Sequence, residues 1–200
     1  MSRAGVNGPG ARGQAGAGLI EVMIALLVFA VGLLGTVALQ LTAKKSSFEA
    51  TQRSIATGLA RDIIERMRSN PGQVPAYVID DVGDTANPVT ASATCTQAAA
   101  VHCSPGQLAA WDLADWYGLL IGATETVTVD GVLANAGGLV EPRACISNAG
   151  GNITVAIAWR GVNEMVDASE AQCGSGKGVY GDDDALRRVL VMTTYIGGPG

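Results

Sequence analysis

The sequence predicts an α+β protein in which a long N-terminal helix, membrane-spanning in its first half, packs on a head domain with an antiparallel β-sheet. Three observations support this fold class. An apolar stretch runs without a charge from Val22 to Leu41, a helical periodicity continues to about Ser69, and β-branched segments separated by turn signals follow residue 124.

The apolar stretch is long enough to cross a membrane, because a helix needs about 20 residues to span a hydrocarbon core. A secretory signal peptide is the competing interpretation, with Arg3 and Arg12 as its charged region. However, the residues Gly35-Thr36-Val37-Ala38 make a poor cleavage site, and the small residues at 15–18 lie before the stretch rather than after it. We therefore expect a membrane-spanning helix.

Glu21 is the one carboxylate at the head of this apolar stretch. A charge at the centre of a bilayer costs at least ~2.5 kcal/mol, so charged residues in such segments usually have a function. The alternative is that Glu21 lies at the headgroup level of an ordinary anchor. The sequence therefore marks Glu21 as the first candidate functional residue.

The helical pattern continues beyond the apolar stretch as an amphipathic helix. Apolar residues recur at spacings of four and seven, while charged residues take other positions. The apolar positions are Phe48, Ile55, Leu59, Ile63 and Met67. The run Asn70-Pro71-Gly72 then ends the helix. We expect one helix over residues 17–69.

The head begins at about residue 70. The stretch up to Ser104 is expected to be loop-rich, with Asp80, Asp81 and Asp84 facing water. Ser104-Pro105 is a helix start signal, and apolar residues from Leu108 to Leu120 supply the faces of a second helix. Strands are expected at 124–129, 153–159 and 189–196, with a turn at Asp130-Gly131.

Four cysteines follow the apolar stretch, at Cys95, Cys103, Cys145 and Cys173. An even number suits two disulfides in an oxidising compartment. Three connectivities are possible, of which we favour the sequence-local one, Cys95 to Cys103 and Cys145 to Cys173. Basic residues do not decide the orientation of the span, since two arginines precede it and two lysines follow it. The cysteines place the head outside the cytosol.

Enzymatic and cofactor-dependent functions have little support in the sequence. His102 is the only histidine and lacks partners at metal-ligand spacing. The glycine-rich run 174–178 lacks the hydroxyl residue of a phosphate loop, and Asp182-Asp183-Asp184 lacks the alternating spacing of an EF-hand loop. A net charge of −5 disfavours nucleic acid as a partner. We expect no catalytic residue, no metal and no cofactor.

Glycine at 16 followed by glutamate at 21, at the head of an apolar helix, resembles the type IV pilin family. The resemblance implies that a prepilin peptidase cuts after Gly16, that residues 1–16 are the leader, and that Ala17 is the mature and N-methylated first residue. Residues 17–41 would then be the transmembrane and assembly part of the helix, with a head over 70–200. Glu21 could pair with the terminal amine of a neighbouring subunit, so that a buried charge gains a partner on assembly.

Segments 58–71, 108–112 with Trp116, and 155–159 are more narrowly similar to minor pilins of the PilV type, the type IV pilus modification proteins. This implies a role in pilus priming, assembly or modification through non-covalent helix packing. The implied partners are the prepilin peptidase, other major and minor pilins, the pilus assembly platform and the inner membrane, with the head in the periplasm and later in the pilus. A pseudopilin of a type II secretion system is the nearest alternative. A single-pass anchored binding protein that never polymerises is the more distant one.

Overall fold

A computed structural model of the protein describes residues 18–96, 102–166 and 170–198. The described chain is a long helix followed by an α+β head, which confirms the predicted pilin-like fold class. The helices are α1 (Leu19–Ser69) and α2 (Pro105–Leu120), with short 3-10 helices at Pro71–Tyr77 and Asp182–Asp184. The strands are β1 (Ile79–Val82), β2 (Thr126–Val129), β3 (Val132–Asn135), β4 (Arg143–Ala149), β5 (Asn152–Arg160) and β6 (Arg187–Tyr195).

The chain forms two compact units, one up to Lys44 and one from Lys45 onward. The second unit contains a four-stranded antiparallel sheet with the strand order β1-β4-β5-β6. Strands β2 and β3 form a separate two-stranded ribbon. Asp130 and Gly131 both have positive φ, at 51° and 82°, as the two central residues of a type I′ hairpin turn require.

The core of the second unit lies between the last five turns of α1, helix α2 and one face of the sheet. Residues of α1 from Gln52 to Met67 are buried at helical spacing. They meet the β5 side chains Ile153, Val155 and Ile157, each with no exposed surface, and Trp116 of α2. Because fully burying a large apolar side chain contributes about 1.5–3 kcal/mol, this layer is the main source of stability of the unit.

Helix α2 begins where the sequence predicts. The Ser104 hydroxyl accepts from the Gln107 N–H at 3.3 Å, and the Gln107 side chain accepts from the Ser104 N–H at 2.9 Å. Pro105 occupies the first helical position. This capping box satisfies two backbone donors that a helix N-terminus leaves without partners.

The structure corrects the prediction of a loop-rich stretch from Pro71 to Ser104. The stretch contains the 3-10 helix and β1, whose partner β4 was not predicted either. Asp81 does not face water, because its carboxylate pairs with Arg143 at 3.7 Å and with Lys177. Phe48, expected on the apolar face of α1, is 39% exposed.

Candidate functional site

The first turn of α1 carries the predicted functional carboxylate. The helix begins at Leu19, and the Gly18 carbonyl accepts from the N–H groups of Glu21 at 2.9 Å and Val22 at 3.3 Å. The Glu21 side chain is exposed and makes no ion pair with any described residue. A carboxylate is favourable at this position because the N-terminus of a helix carries a partial positive charge. Gly16 and Ala17, the predicted cleavage and methylation sites, lie outside the described residues.

The apolar part of α1 has no protein partner in the described chain. All residues from Leu19 to Leu41 are exposed, including Leu27 at 66%, Leu34 at 71% and Leu39 at 72%. By length and composition α1 could cross a membrane, with an 18-residue window of mean hydropathy 2.7 that has no buried residue. A helix that is apolar on every side is suited to lipid or to the interior of a helix bundle.

The hydroxyl groups in this part of α1 are satisfied within the helix. Thr36 donates to the Leu33 carbonyl at 2.8 Å, and Thr42 donates to the Ala38 carbonyl at 3.1 Å. An unsatisfied polar group is expensive in hydrocarbon. Because these hydroxyl groups already have partners, Glu21 is the residue of this stretch whose charge an apolar environment would have to accommodate.

The other half of α1 is fixed to α2 by a charged cluster, which we call the Arg66 cluster (Arg66, Asp62, Asp112, Asp115). The Arg66 guanidinium contacts Asp62 at 2.9 Å, Asp115 at 2.7 Å and Asp112 at 3.4 Å. Burial lowers the pKa of Arg66, but the hydrogen bond to Asp115 and the charges of Asp62 and Asp115 outweigh this effect and raise it. Arg66 is therefore held as a cation between the two helices.

Two buried side chains extend this connection. The Tyr77 hydroxyl donates to Asp112 at 2.5 Å, and the Trp116 indole N–H donates to the Leu59 carbonyl of α1 at 2.9 Å. Burial, and secondly the hydrogen bond to Asp112, raises the pKa of Tyr77. Asn70 donates to the Pro105 carbonyl at 2.8 Å, which ties the end of α1 to the start of α2.

These contacts give a physical reason for the segments 58–71 and 108–116 that the sequence singled out. Leu59, Asp62, Arg66 and Asn70 come from the first segment, and Asp112, Asp115 and Trp116 come from the second or adjoin it. The two segments are the two sides of one interface. Sequence reasoning did not identify Arg66, although a cation at the i+4 position of Asp62 and two carboxylates three residues apart on α2 were visible signals.

Polar side chains of α1 also hold the loops that follow the ribbon and β5. Gln52 is 6% exposed, and its side-chain oxygen accepts from the Val140 N–H at 3.0 Å. Glu49 accepts from the Val162 N–H at 2.8 Å and pairs with Arg188 at 3.5 Å. Neither residue has a separate signal in the sequence. The second half of α1 and the head are therefore one body.

The cysteines pair as Cys95–Cys103 and Cys145–Cys173, the sequence-local connectivity. The second bridge joins β4 to Cys173, the residue directly before the glycine-rich loop 174–178. Asp184 organises this loop, because one of its oxygens accepts from the Ser175 hydroxyl at 2.9 Å and the Gly176 N–H at 2.8 Å.

The described residues contain no group of three or more His, Cys, Asp or Glu side chains arranged to hold a metal ion. His102 is exposed in the segment before α2. That the chain is not an enzyme stays a prediction of the sequence. What the geometry offers is an exposed apolar helix with one carboxylate, joined to a tightly connected head, and this arrangement suits non-covalent assembly.

The fold and the exposed helix define a pilin-like class of protein, an antiparallel sheet head on a long apolar N-terminal helix. The comparison with protein families points in the same direction. A family described as type IV pilin Tt1218 matches residues 38–114, which run from the end of the apolar stretch into α2. No curated protein and no solved structure matches the chain. The match covers less than half of the chain and begins after Glu21, and it supports a type IV pilin role.

Proposed function

We propose that the protein is a minor pilin of a type IV pilus. It is made with the leader 1–16, cut by a prepilin peptidase between Gly16 and Ala17, and methylated at Ala17. The observation that carries this proposal is the helix from Leu19 to Leu41, exposed on every side and headed by one carboxylate. The family match over 38–114 adds support, because nearly all of the matched residues lie beyond this apolar stretch.

In this proposal the apolar half of α1 exchanges one apolar environment for another. It lies first in the inner membrane, with the head in the periplasm, and then packs against helices of other major and minor pilins in the fibre. The assembly platform drives this transfer. The Glu21 carboxylate pairs with the terminal amine of a neighbouring subunit, and a charge-assisted hydrogen bond of this kind is strong where water is excluded. The head, joined to α1 through the Arg66 cluster, primes or modifies the fibre.

The test is the intact mass and N-terminal sequence of the membrane-extracted protein, with and without the prepilin peptidase. The expected result is a start at Ala17 that depends on the peptidase, with the mass of one added methyl group. A retained leader in the presence of the peptidase would contradict the proposal and favour the anchored binding protein. A start beyond the apolar stretch would identify a secreted domain.

The substitution Glu21→Gln tests the proposed role of the carboxylate. It keeps the shape of the side chain but removes the charge, so insertion into the membrane should be unchanged while incorporation into pili falls at least about tenfold. Immunoblots of sheared pili and of the membrane fraction measure both quantities. Thr36→Ala, which removes a hydroxyl bonded only within its own helix, is the matched control. Pili that contain normal amounts of the Glu21→Gln protein would refute the role of Glu21.

The same sheared-pilus fraction distinguishes the proposal from its nearest alternative. A pseudopilin would be processed in the same way but would depend on a type II secretion system. The matched family is described as a type IV pilin, which favours the pilus. Absence of the processed protein from pili, together with a secretion defect in its deletion strain, would reverse this preference.

A further inference from the structure

The β2–β3 ribbon is an exposed apolar element. All eight of its residues are exposed, with Leu133 at 71%. The register places Val127 opposite Ala134 and Val129 opposite Val132, so these four side chains lie on one face of the ribbon. An isolated two-stranded ribbon is marginally stable in water, and each of its outer edges presents unpaired backbone groups.

Strand β6 is a second open edge, on the main sheet. It is nine residues long, and among the strands of the described residues it pairs only with β5. Ile196 donates to the Gly151 carbonyl at 2.9 Å, so its backbone groups point toward the β5 side of the sheet. In an antiparallel pair, the backbone groups of successive residues point alternately toward the partner strand and away from it. The N–H and C=O groups of Val189, Val191 and Thr193 therefore point away from β5. Within the described ranges, no other backbone segment hydrogen-bonds residues 188–195 on this side.

The two open elements lie on opposite flanks of the head half of α1. The base of the ribbon, Glu125, lines a groove with Ile55 and Leu59. The β6 edge lines another groove with Arg61 and Arg68. Arg68 is nine residues from Leu59, which is about half a turn around the helix at 3.6 residues per turn. The ribbon of one copy is therefore placed to reach β6 of a second copy, and such a head-to-tail contact can repeat along a row.

The charges at the two elements are complementary. The two charged residues that flank strand β2 of the ribbon are both acidic and exposed: Glu125 at the base and Asp130 at the tip. The β6 groove contains the exposed Arg61, which makes no ion pair with any described residue. It also contains Arg68, which pairs with Glu65 at 2.5 Å and donates to Thr194 at 2.8 Å. The groove therefore has one more positive charge than negative, and this favours the acidic ribbon over a basic partner.

We propose that the β2–β3 ribbon of one copy docks on the β6 edge of a second copy as an added antiparallel or parallel strand. Main-chain hydrogen bonds supply the affinity in strand addition of this kind, and alternate side chains supply the specificity. A four-residue strand makes few such bonds, so the contact is weak in free solution. It becomes effective when the copies are concentrated side by side in a membrane or a fibre. The proposal deepens the pilin assignment but does not depend on leader cleavage.

The test is site-specific photo-cross-linking of the full-length chain in membranes that lack prepilin peptidase. A photoreactive amino acid replaces the exposed Leu133, and mass spectrometry identifies the peptide to which it cross-links. The expected product is a dimer joined to residues 187–195 of the second copy. The matched control places the same photoreactive group at the exposed Ala86, which should give no such product.

A second experiment keeps the photoreactive amino acid at residue 133 and changes the β6 edge. Val191→Pro removes an N–H that points away from β5, a position where an edge strand tolerates proline. It should lower the cross-link yield about fivefold or more, whereas Val191→Thr keeps the N–H and should leave the yield unchanged. If Val191→Pro does not fold, the mapped cross-link from Leu133 in the unaltered chain still decides. A cross-link to lipid, to another ribbon or to a different surface, or no dimer at all, would overturn the proposal. The Ala17 processing result would stand unaffected.

Discussion

Replacing Arg66 with methionine should destabilise the head much more than the same replacement at Arg68, two residues away. Both arginines lie on α1 and both make ion pairs, but their surroundings differ. Arg66 contacts Asp112, whose side chain is 10% exposed, whereas Arg68 pairs with Glu65, whose side chain is 65% exposed. The comparison isolates the effect of burial from the loss of a positive charge.

The magnitude follows from the exposure of each partner of Arg66. Asp62 and Asp115 are each 40% exposed, and pairs of this kind contribute about 0–1 kcal/mol. Removing one partner of a fully buried pair costs about 3–5 kcal/mol. The Tyr77 hydroxyl would still donate to Asp112, so the loss for Arg66→Met should be about 2–3 kcal/mol. Arg68→Met should lose less than about 1 kcal/mol.

Thermal melts of the full chain in detergent micelles, followed by tryptophan fluorescence, measure this difference. All three tryptophans, Trp111, Trp116 and Trp159, lie in the unit that begins at Lys45, so the signal reports the head. For a domain of this size the midpoint should fall by about 2–4 °C per kcal/mol. Adding Asp112→Asn to Arg66→Met should recover part of the loss, because it removes the charge left without a cation. Equal midpoints for Arg66→Met and Arg68→Met would refute the reasoning.

Two further predictions concern the head. Burial raises the pKa of the Tyr180 hydroxyl in the folded protein above its ordinary value of about 10. The neutral hydroxyl therefore stabilises the head fully below about pH 10, and this stabilisation is lost as the pH rises through the pKa of the folded state. The melting midpoint should fall in alkali, and Tyr180→Phe should reduce that fall; an identical pH profile would contradict this. Replacing Cys145 and Cys173 with serine should destabilise the head by about 1 kcal/mol more than replacing Cys95 and Cys103, since the loops span 28 and 8 residues. The reverse order in denaturant titrations would count against this reasoning.

The parts of the fold that the sequence predicted are those whose signal is local. Helix α1 and strands β5 and β6 have long periodic or β-branched runs, and the Asp130-Gly131 turn has its own chemistry. Strand β4 was not predicted, because Arg143 to Ala149 includes polar residues on both sides of its alternation. Its register is decided by pairing with β5, a contact that a local pattern does not contain.

The candidate site also has one part that the sequence predicts and one part that only the tertiary structure reveals. Glu21 is visible in the sequence because one charge beside an apolar stretch needs no tertiary information. The contacts of Arg66 with Asp112 and Asp115 join residues 46 and 49 positions apart. Their spacing on α1 and α2 is compatible with solvated helix faces as well as with an interface. Only the packing of the two helices distinguishes these possibilities.

The two halves of α1 differ in their partners, and this difference indicates which residues give the proposed assembly its specificity. Residues 19–41 have no apolar partner in the part of the chain that the structure describes, which leaves lipid or neighbouring helices to cover them. Moving them from lipid to a helix bundle gains little from the hydrophobic effect, since lipid tails are as apolar as leucine. The preference for the bundle must then come from packing and from polar contacts, of which Glu21 offers the only charge in that stretch. This is why loss of the Glu21 charge should separate assembly from membrane insertion.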